Sequence, residues 1–227
     1  MQFIRYYTFI FCLAFFMPLA KAQYFNDDAR LWLHLKFDKN ISSKLNAELS
    51  LQNRIENNIS VYSKLYSNLE LSYKLNKNIR FLGGYGFGFY KNDNGTFGNR
   101  HRMYLGILLR KKIKNVLFTY RNIYQASYYD INSSETGAVP LFFDRNKITI
   151  KYELNKRIDI YVAQELNLSY NQNDYDNISR SRTYTGAIYN LSKSSSIESY
   201  FMFQRRFMFK NQPKRDFVFG VTYSHSF

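Results

Sequence analysis

Cysteine is almost absent from this chain of 227 residues, and proline and tryptophan are nearly so, with one Cys, three Pro and one Trp. The lone Cys12 lies in an apolar stretch from Tyr6 to Leu19, between the charged start at Arg5 and the small-x-small sequence Ala20-Lys21-Ala22. That arrangement predicts a signal peptide over residues 1–22, cut after Ala22, with Ala20 and Ala22 as its cleavage positions and 23–227 as one mature domain. The mature domain then has no disulfide, no thiol nucleophile and no cysteine metal site. Ile10 and Phe11 are too bulky for the small-residue context of a lipoprotein signal, which excludes lipidation at Cys12. After residue 22 no apolar run approaches ~18 residues, which excludes a further membrane helix.

What the chain does have is aromatic residues, 19% of the total with Tyr and Phe at 21 each, and they fall on alternate positions. Leu31, Leu33, Leu35 and Phe37 alternate with Trp32, His34 and Lys36; Leu45, Ala47, Leu49 and Leu51 alternate with Asn46, Glu48, Ser50 and Gln52. This period of two continues to the end of the chain and predicts strands with one apolar and one polar face. Residues 61–75 taken alone also fit a helical stripe through Leu65, Leu69 and Tyr73; the segments on either side decide for a strand. Gly84, Gly86 and Gly88 stand on the face opposite Tyr85, Phe87 and Phe89, where they leave room for bulky neighbours.

Such segments number about eleven, each of roughly 9 to 14 residues, long enough for a tilted crossing of an outer membrane. Short connections near residues 38, 76, 112, 156 and 193 alternate with longer ones near 91–99, 129–143 and 171–179. That asymmetry is expected of an all-β, antiparallel transmembrane barrel with turns at one rim and loops at the other. Closure follows from the solvent: in hydrocarbon an open sheet would leave two unpaired edges. Because bacterial single-chain barrels use even strand numbers, the expected count is ten or twelve. A soluble sandwich is the competing architecture, and it would turn the arginines outward to water.

The last strand alternates Phe217, Phe219, Val221, Tyr223, His225 and Phe227. It resembles the C-terminal sorting signal of bacterial outer-membrane barrels, carried here by Phe219, Val221, Tyr223 and Phe227. The resemblance implies the barrel-insertion machinery as a partner in biogenesis and outer-membrane lipids as the surroundings. Further, the Trp32 strand with Glu48 and Arg54, the run Asn99-Arg100-His101-Arg102, Tyr120-Arg121 and the aromatic last strand resemble a family of small Gram-negative outer-membrane barrels catalogued as a domain of unknown function. Glu48, Arg54, Arg100, Arg102 and Arg121 are the matching positions. The resemblance implies fold and location and carries no substrate.

Removing Arg5 and Lys21 with the leader lowers the formal charge from +15 to +13. The excess sits in the short turns (Lys39, Lys77, Lys111, Lys112, Lys114, Lys156, Arg157, Lys193) and on the polar faces. No basic recognition helix or RNA-binding aromatic motif accompanies it, so nucleic acid is not an expected partner. Turned inward, the polar faces place Glu48, Arg54, Glu70, Arg80, Arg100 and Arg102 in the lumen. Arg121, Glu165, Arg180, Arg182 and Arg206 join them. Such a set either cross-links a narrow interior as ion pairs or forms a basic path that draws in small polar or anionic solutes.

Catalysis finds little footing. A barrel hydrolase needs a His within reach of a nucleophile or water, and none of His34, His101 and His225 has a neighbour that suggests a triad. The acidic pairs Asp27/Asp28 and Asp174/Asp176 read as solvated charge, so no metal and no cofactor is expected. The glycine run at 83–88 lacks the helix and Lys-Ser/Thr of a phosphate loop. The expected function is therefore a narrow channel or binding barrel, not an enzyme. The alternative is a plugged structural or surface-interaction barrel, and a lipid-modifying enzyme using His34 or His101 stands third.

Overall fold

The computed structural model describes residues 26–91, 95–129, 140–170, 178–207 and 214–227. The signal peptide with Ala20 and Ala22, the acidic pair Asp174/Asp176 and most of the long connections lie outside the described residues. Among the described residues eleven strands make up the fold. In chain order they are β1 (Asn26–Asn40), β2 (Leu45–Glu56), β3 (Val61–Lys74), β4 (Ile79–Lys91), β5 (Phe97–Ile113) and β6 (Val116–Tyr129). They continue as β7 (Leu141–Glu153), β8 (Ile158–Tyr170), β9 (Ile178–Asn190), β10 (Ser195–Arg206) and β11 (Lys214–Ser226).

Each strand pairs with the next in sequence, and β11 returns to β1, so the sheet is a closed barrel. The count agrees with the eleven segments read from the sequence and falls within the expected ten to twelve; the preference for an even number is what the structure corrects. With antiparallel neighbours, an odd number leaves the first and last strands pointing the same way, so the seam has to be parallel. It is: β1 and β11 run side by side from Asn26↔Lys214 to Asp38↔Ser226. What the bilayer requires is that both edges be paired, and a parallel ladder meets that requirement as an antiparallel one does. The N–H of Phe227 extends the seam by donating to the carbonyl of Asp38 at 3.0 Å.

Alternation decides which face each side chain takes. Leu33, Leu49, Leu69, Phe81, Leu105, Val162 and Phe219 are exposed on the outer wall. Trp32, Tyr66, Tyr104, Glu165, Arg182 and Tyr200 are buried on the inner one. With 12 to 17 residues in most strands, each exceeds the ~9–11 needed to cross a bilayer, so the strand ends project as rims. The connection at 111–115 is tighter than the sequence suggests. β5 runs on to pair Ile113 with Val116, and Lys114 takes a positive φ of 50° in the two-residue turn.

The interior is unevenly filled. Trp32, Tyr161, Ala163, Tyr184, Tyr200, Met202 and Val218 pack together on the wall made by β1 and β8 to β11. Glycines admit the rings. A Cβ on Gly84 would lie 2.1 Å from Tyr104 Cζ, and one on Gly88 would lie 2.6 Å from Tyr66 Cδ1. The glycines on β4 thus make room for bulky neighbours, as their pattern in the sequence suggests. Space and charge remain between this wall and the strands opposite, with the rings and the charged side chains lining the same cavity.

Candidate functional site

Two adjoining cavities of about 270 Å³ and 370 Å³ occupy the lumen, and Lys36, Arg102, Arg121, Arg145 and Lys147 line both. The polar faces of β1, β2, β5, β6, β7 and β9 supply the cations, because alternate residues of a closed sheet converge on its axis.

The charged residues divide into two sets. In the first, guanidiniums are held by carboxylates. Glu165, 3% exposed, accepts from Arg145 Nη2 at 2.9 Å and Arg182 Nη1 at 3.1 Å, and Tyr184 donates its hydroxyl to the other oxygen at 3.2 Å. Glu70 accepts from Arg121 and, at 2.8 Å, from the Tyr104 hydroxyl. Asp216, wholly buried, accepts from Arg206 at 2.7 Å and Arg30 at 3.1 Å. These are the ion-pair cross-links anticipated for a narrow interior, with charge-assisted hydrogen bonds satisfying both partners.

In the second set the cation has no carboxylate. Arg54 donates to Gln52 Oε1 at 2.7 Å and lies over the Trp32 ring, 3.8 Å from its centroid. Arg100 donates to Ser127 Oγ at 3.2 Å and lies 4.5 Å from the Tyr129 ring centre. Arg102 faces the Tyr66 ring at 5.1 Å, and Lys147 faces Tyr184 at 4.2 Å. Arg180 forms no ion pair among the described residues, and the Nε atoms of Arg54, Arg100, Arg102 and Arg180 are buried without a hydrogen-bond partner. Aromatic faces attract these cations but leave their N–H groups unsatisfied. The group is close-knit: Arg54 is within electrostatic reach of Arg102 and Arg182, and Arg100 within reach of Arg102 and Arg180.

Glu48 lines the second cavity directly across from Glu70 in the β2–β3 register, with no ion pair among the described residues. Arg80, at the turn end of β4, pairs in register with Lys74 and Leu108 and takes no part in the cavities. Sequence reasoning left out Lys36, Arg145, Lys147 and the ring platforms. Arg145 and Lys147 share the parity of Thr149 and Lys151, and counting back from the Asn155 turn would have placed them inward.

The histidines lie apart. His34 faces the lumen beside Trp32, with ring centres 6.4 Å apart. His101 Nδ1 is 2.7 Å from the Tyr85 hydroxyl on the outer wall, and His225 Nδ1 is 2.8 Å from Ser195 Oγ near the turn rim. Among the described residues no carboxylate orients any of these rings, and no group of His, Cys, Asp or Glu is arranged to hold a metal ion.

Solved barrels share this architecture. The NanC porin aligns with a TM-score of 0.55 at 14% identity over 88% of this chain and 99% of that one. LpxR from Salmonella typhimurium aligns at 0.54 and 8% identity, covering 85% of this chain and 87% of its own. The β domain of the Bordetella autotransporter BrkA aligns at 0.51 and 9% identity, over 82% and 85%. At such identities the likeness is one of fold, that of outer-membrane barrels. No curated protein matches the sequence. A family profile does match, over residues 29–215, and the chain belongs to that family, described as protein of unknown function (DUF2490).

Proposed function

We propose that the protein resides in the outer membrane of a Gram-negative bacterium as a narrow barrel that binds or conducts small polar, preferentially anionic solutes, without catalysing a reaction. The observation that carries this reading is the set of Arg54, Arg100, Arg102 and Arg180, which line a cavity without a carboxylate partner among the described residues, each with a buried Nε that has no hydrogen-bond partner, while Glu165 is already neutralised by two arginines. Structural cross-linking accounts for Arg121, Arg145, Arg182 and Arg206, which have carboxylate partners. It does not account for four guanidiniums crowded together without one. Unpaired guanidiniums in a low-dielectric channel attract anions and repel cations.

The test is electrical. The refolded full chain in a planar bilayer under a salt gradient is expected to give discrete steps with an anion-biased reversal potential, and Arg102→Gln with Arg180→Gln is expected to move that potential toward zero. Steps with no bias, or a bias unchanged in the double variant, would remove the arginines from the account.

A plugged barrel is favoured by a different observation, the aromatic wall of Trp32, Tyr161, Tyr184 and Tyr200, which fills part of the lumen. In that reading the basic cavity is a blind site, and the bilayer shows no steps although a small anion still binds.

A further inference from the structure

The cations of the short turns have no role in the lumen, and the turns themselves repeat one design. Four of the five follow it. In Ile41–Lys44, Leu75–Asn78, Leu154–Arg157 and Leu191–Ser194, the first two N–H groups donate to the carbonyl of the residue that begins the next strand. The second residue of each turn, Ser42, Asn76, Asn155 or Ser192, accepts from the two N–H groups that close it. A short polar side chain folded onto its own backbone in this way fixes the turn without help from neighbours. The first and third or fourth residues are then free for another use.

Those positions share a chemistry. The first is always a large aliphatic residue, Ile41, Leu75, Leu154 or Leu191, each at least half exposed. The third or fourth is an exposed cation: Lys44, Lys77, Lys156 with Arg157, or Lys193. The fifth turn, of different backbone geometry, repeats the pairing with Ile113 and Lys114. None of these turn cations has an ion pair among the described residues; the pairs toward this rim are Lys112 with Glu153 and Lys151 with Asp159, both at 2.7 Å.

Depth is set by a second feature. About two residues above four of the five turns stands an exposed aromatic on the outer wall: Tyr73 and Phe81 flank Leu75–Asn78, and Phe118, Tyr152 and Tyr189 stand above the next three. A girdle of this kind marks the boundary between acyl chains and headgroups. Two strand residues further on, roughly 7 Å, the turns reach the phosphate level. There a leucine can dip back toward the acyl chains while the lysine stem carries its ammonium to a phosphate.

We propose that this rim is a collar that binds anionic phospholipid headgroups, with phosphatidylglycerol as the representative class. The aliphatic residues anchor the turns, and the six cations spread over the five turns select the charge. The inference rests on the membrane placement above and is independent of what the lumen does.

The full chain refolded into vesicles of equimolar phosphatidylcholine and phosphatidylglycerol provides the test, with retained lipids counted by native mass spectrometry after mild extraction. The wild type is expected to retain phosphatidylglycerol in clear excess at low salt. The quadruple variant Lys77→Gln, Lys156→Gln, Arg157→Gln, Lys193→Gln is expected to lose that preference by about tenfold or more, since each surface cation contributes several-fold. All four side chains are exposed, and heat-modified gel mobility verifies that the variant still folds. Retention at the bulk ratio by the wild type, or an undiminished preference in the variant, overturns the collar. Failure of the wild type to insert into these vesicles overturns the membrane placement itself, and the collar with it.

Discussion

Tyr200 on β10 lies across Gly220 on β11 so closely that a Cβ at that glycine would stand 2.0 Å from the ring Cζ. Gly186, on the other flanking strand, would place its missing Cβ 2.8 Å from Tyr200 Cβ and 2.8 Å from the Tyr161 ring. The Tyr200 ring therefore lies over Gly220, while Gly186 makes room for the Tyr161 ring and the base of Tyr200. Gly220→Ala is expected to lower stability by ~1–3 kcal/mol, the usual cost of overpacking. Combining it with Tyr200→Ala should cost less than the two changes summed, because the clash disappears with the ring. Urea unfolding of the refolded variants, followed by heat-modified gel mobility, measures both; strict additivity would mean that the ring and the glycine do not constrain each other.

One carboxylate is buried at the seam. Asp216 is wholly buried, accepts from Arg30 and Arg206, and receives a further hydrogen bond from Gln204. Asp216→Asn leaves Arg206 on β10 without its carboxylate and takes one of three from Arg30 on β1, which also pairs with Asp28 and Glu56; loss of a buried partner of this kind costs up to ~3–5 kcal/mol. Asp27, exposed at the loop end of the same seam, is held by Arg215 in a two-point pair at 2.7 Å. Its removal should cost ~1 kcal/mol or less, because water replaces the partner. Unfolding midpoints that rank the two variants in the reverse order would mean that the parallel closure is held elsewhere.

Glu165 offers a way to separate stability from selectivity. It neutralises Arg145 and Arg182 at once, so Glu165→Gln should destabilise the barrel and, in the same molecule, leave the lumen one unit more positive. Under the proposed function the reversal potential in a salt gradient then shifts further toward that of an anion-selective pore. A loss of stability with no change in selectivity would assign Glu165 to cross-linking alone.

Most of the barrel was legible because a single periodicity carries it. Leu31 to Phe37 and Leu45 to Leu51 announce their two faces outright, and even 61–75, ambiguous by itself, is fixed as β3 by pairing with strands whose period is plain. Eleven segments could be counted locally, but their parity could not be judged for a reason of long range: it is decided by how β1 meets β11, residues nearly two hundred positions apart, and no local pattern encodes a parallel seam. Facing was legible wherever apolar residues alternate, as for Arg100 and Arg102 between His101 and Met103. It was lost for Arg145 and Lys147, where Asp144-Arg145-Asn146-Lys147 has no apolar face to set the phase. Partners were not legible at all, since nothing near Glu165 in sequence points to both Arg145 and Arg182.

The only tryptophan gives the lumen its own reporter. Trp32 is 4% exposed, faces inward, and carries the guanidinium of Arg54 3.8 Å above its ring, with that of Arg182 at 5.7 Å. A quencher reaching this ring must pass among cations. If small anions enter the basic cavity, iodide should quench the emission more efficiently than caesium at the same concentration, and more than its ordinary preference for exposed indoles explains. Raising chloride should suppress iodide quenching by competition for the same guanidiniums. Arg54→Gln should narrow the difference between the two quenchers and shift the emission, because the cation in contact with the indole is gone. Equal quenching by iodide and caesium in the wild type would show a lumen that small ions do not sense as positive, and the anion reading would fall while the barrel stood.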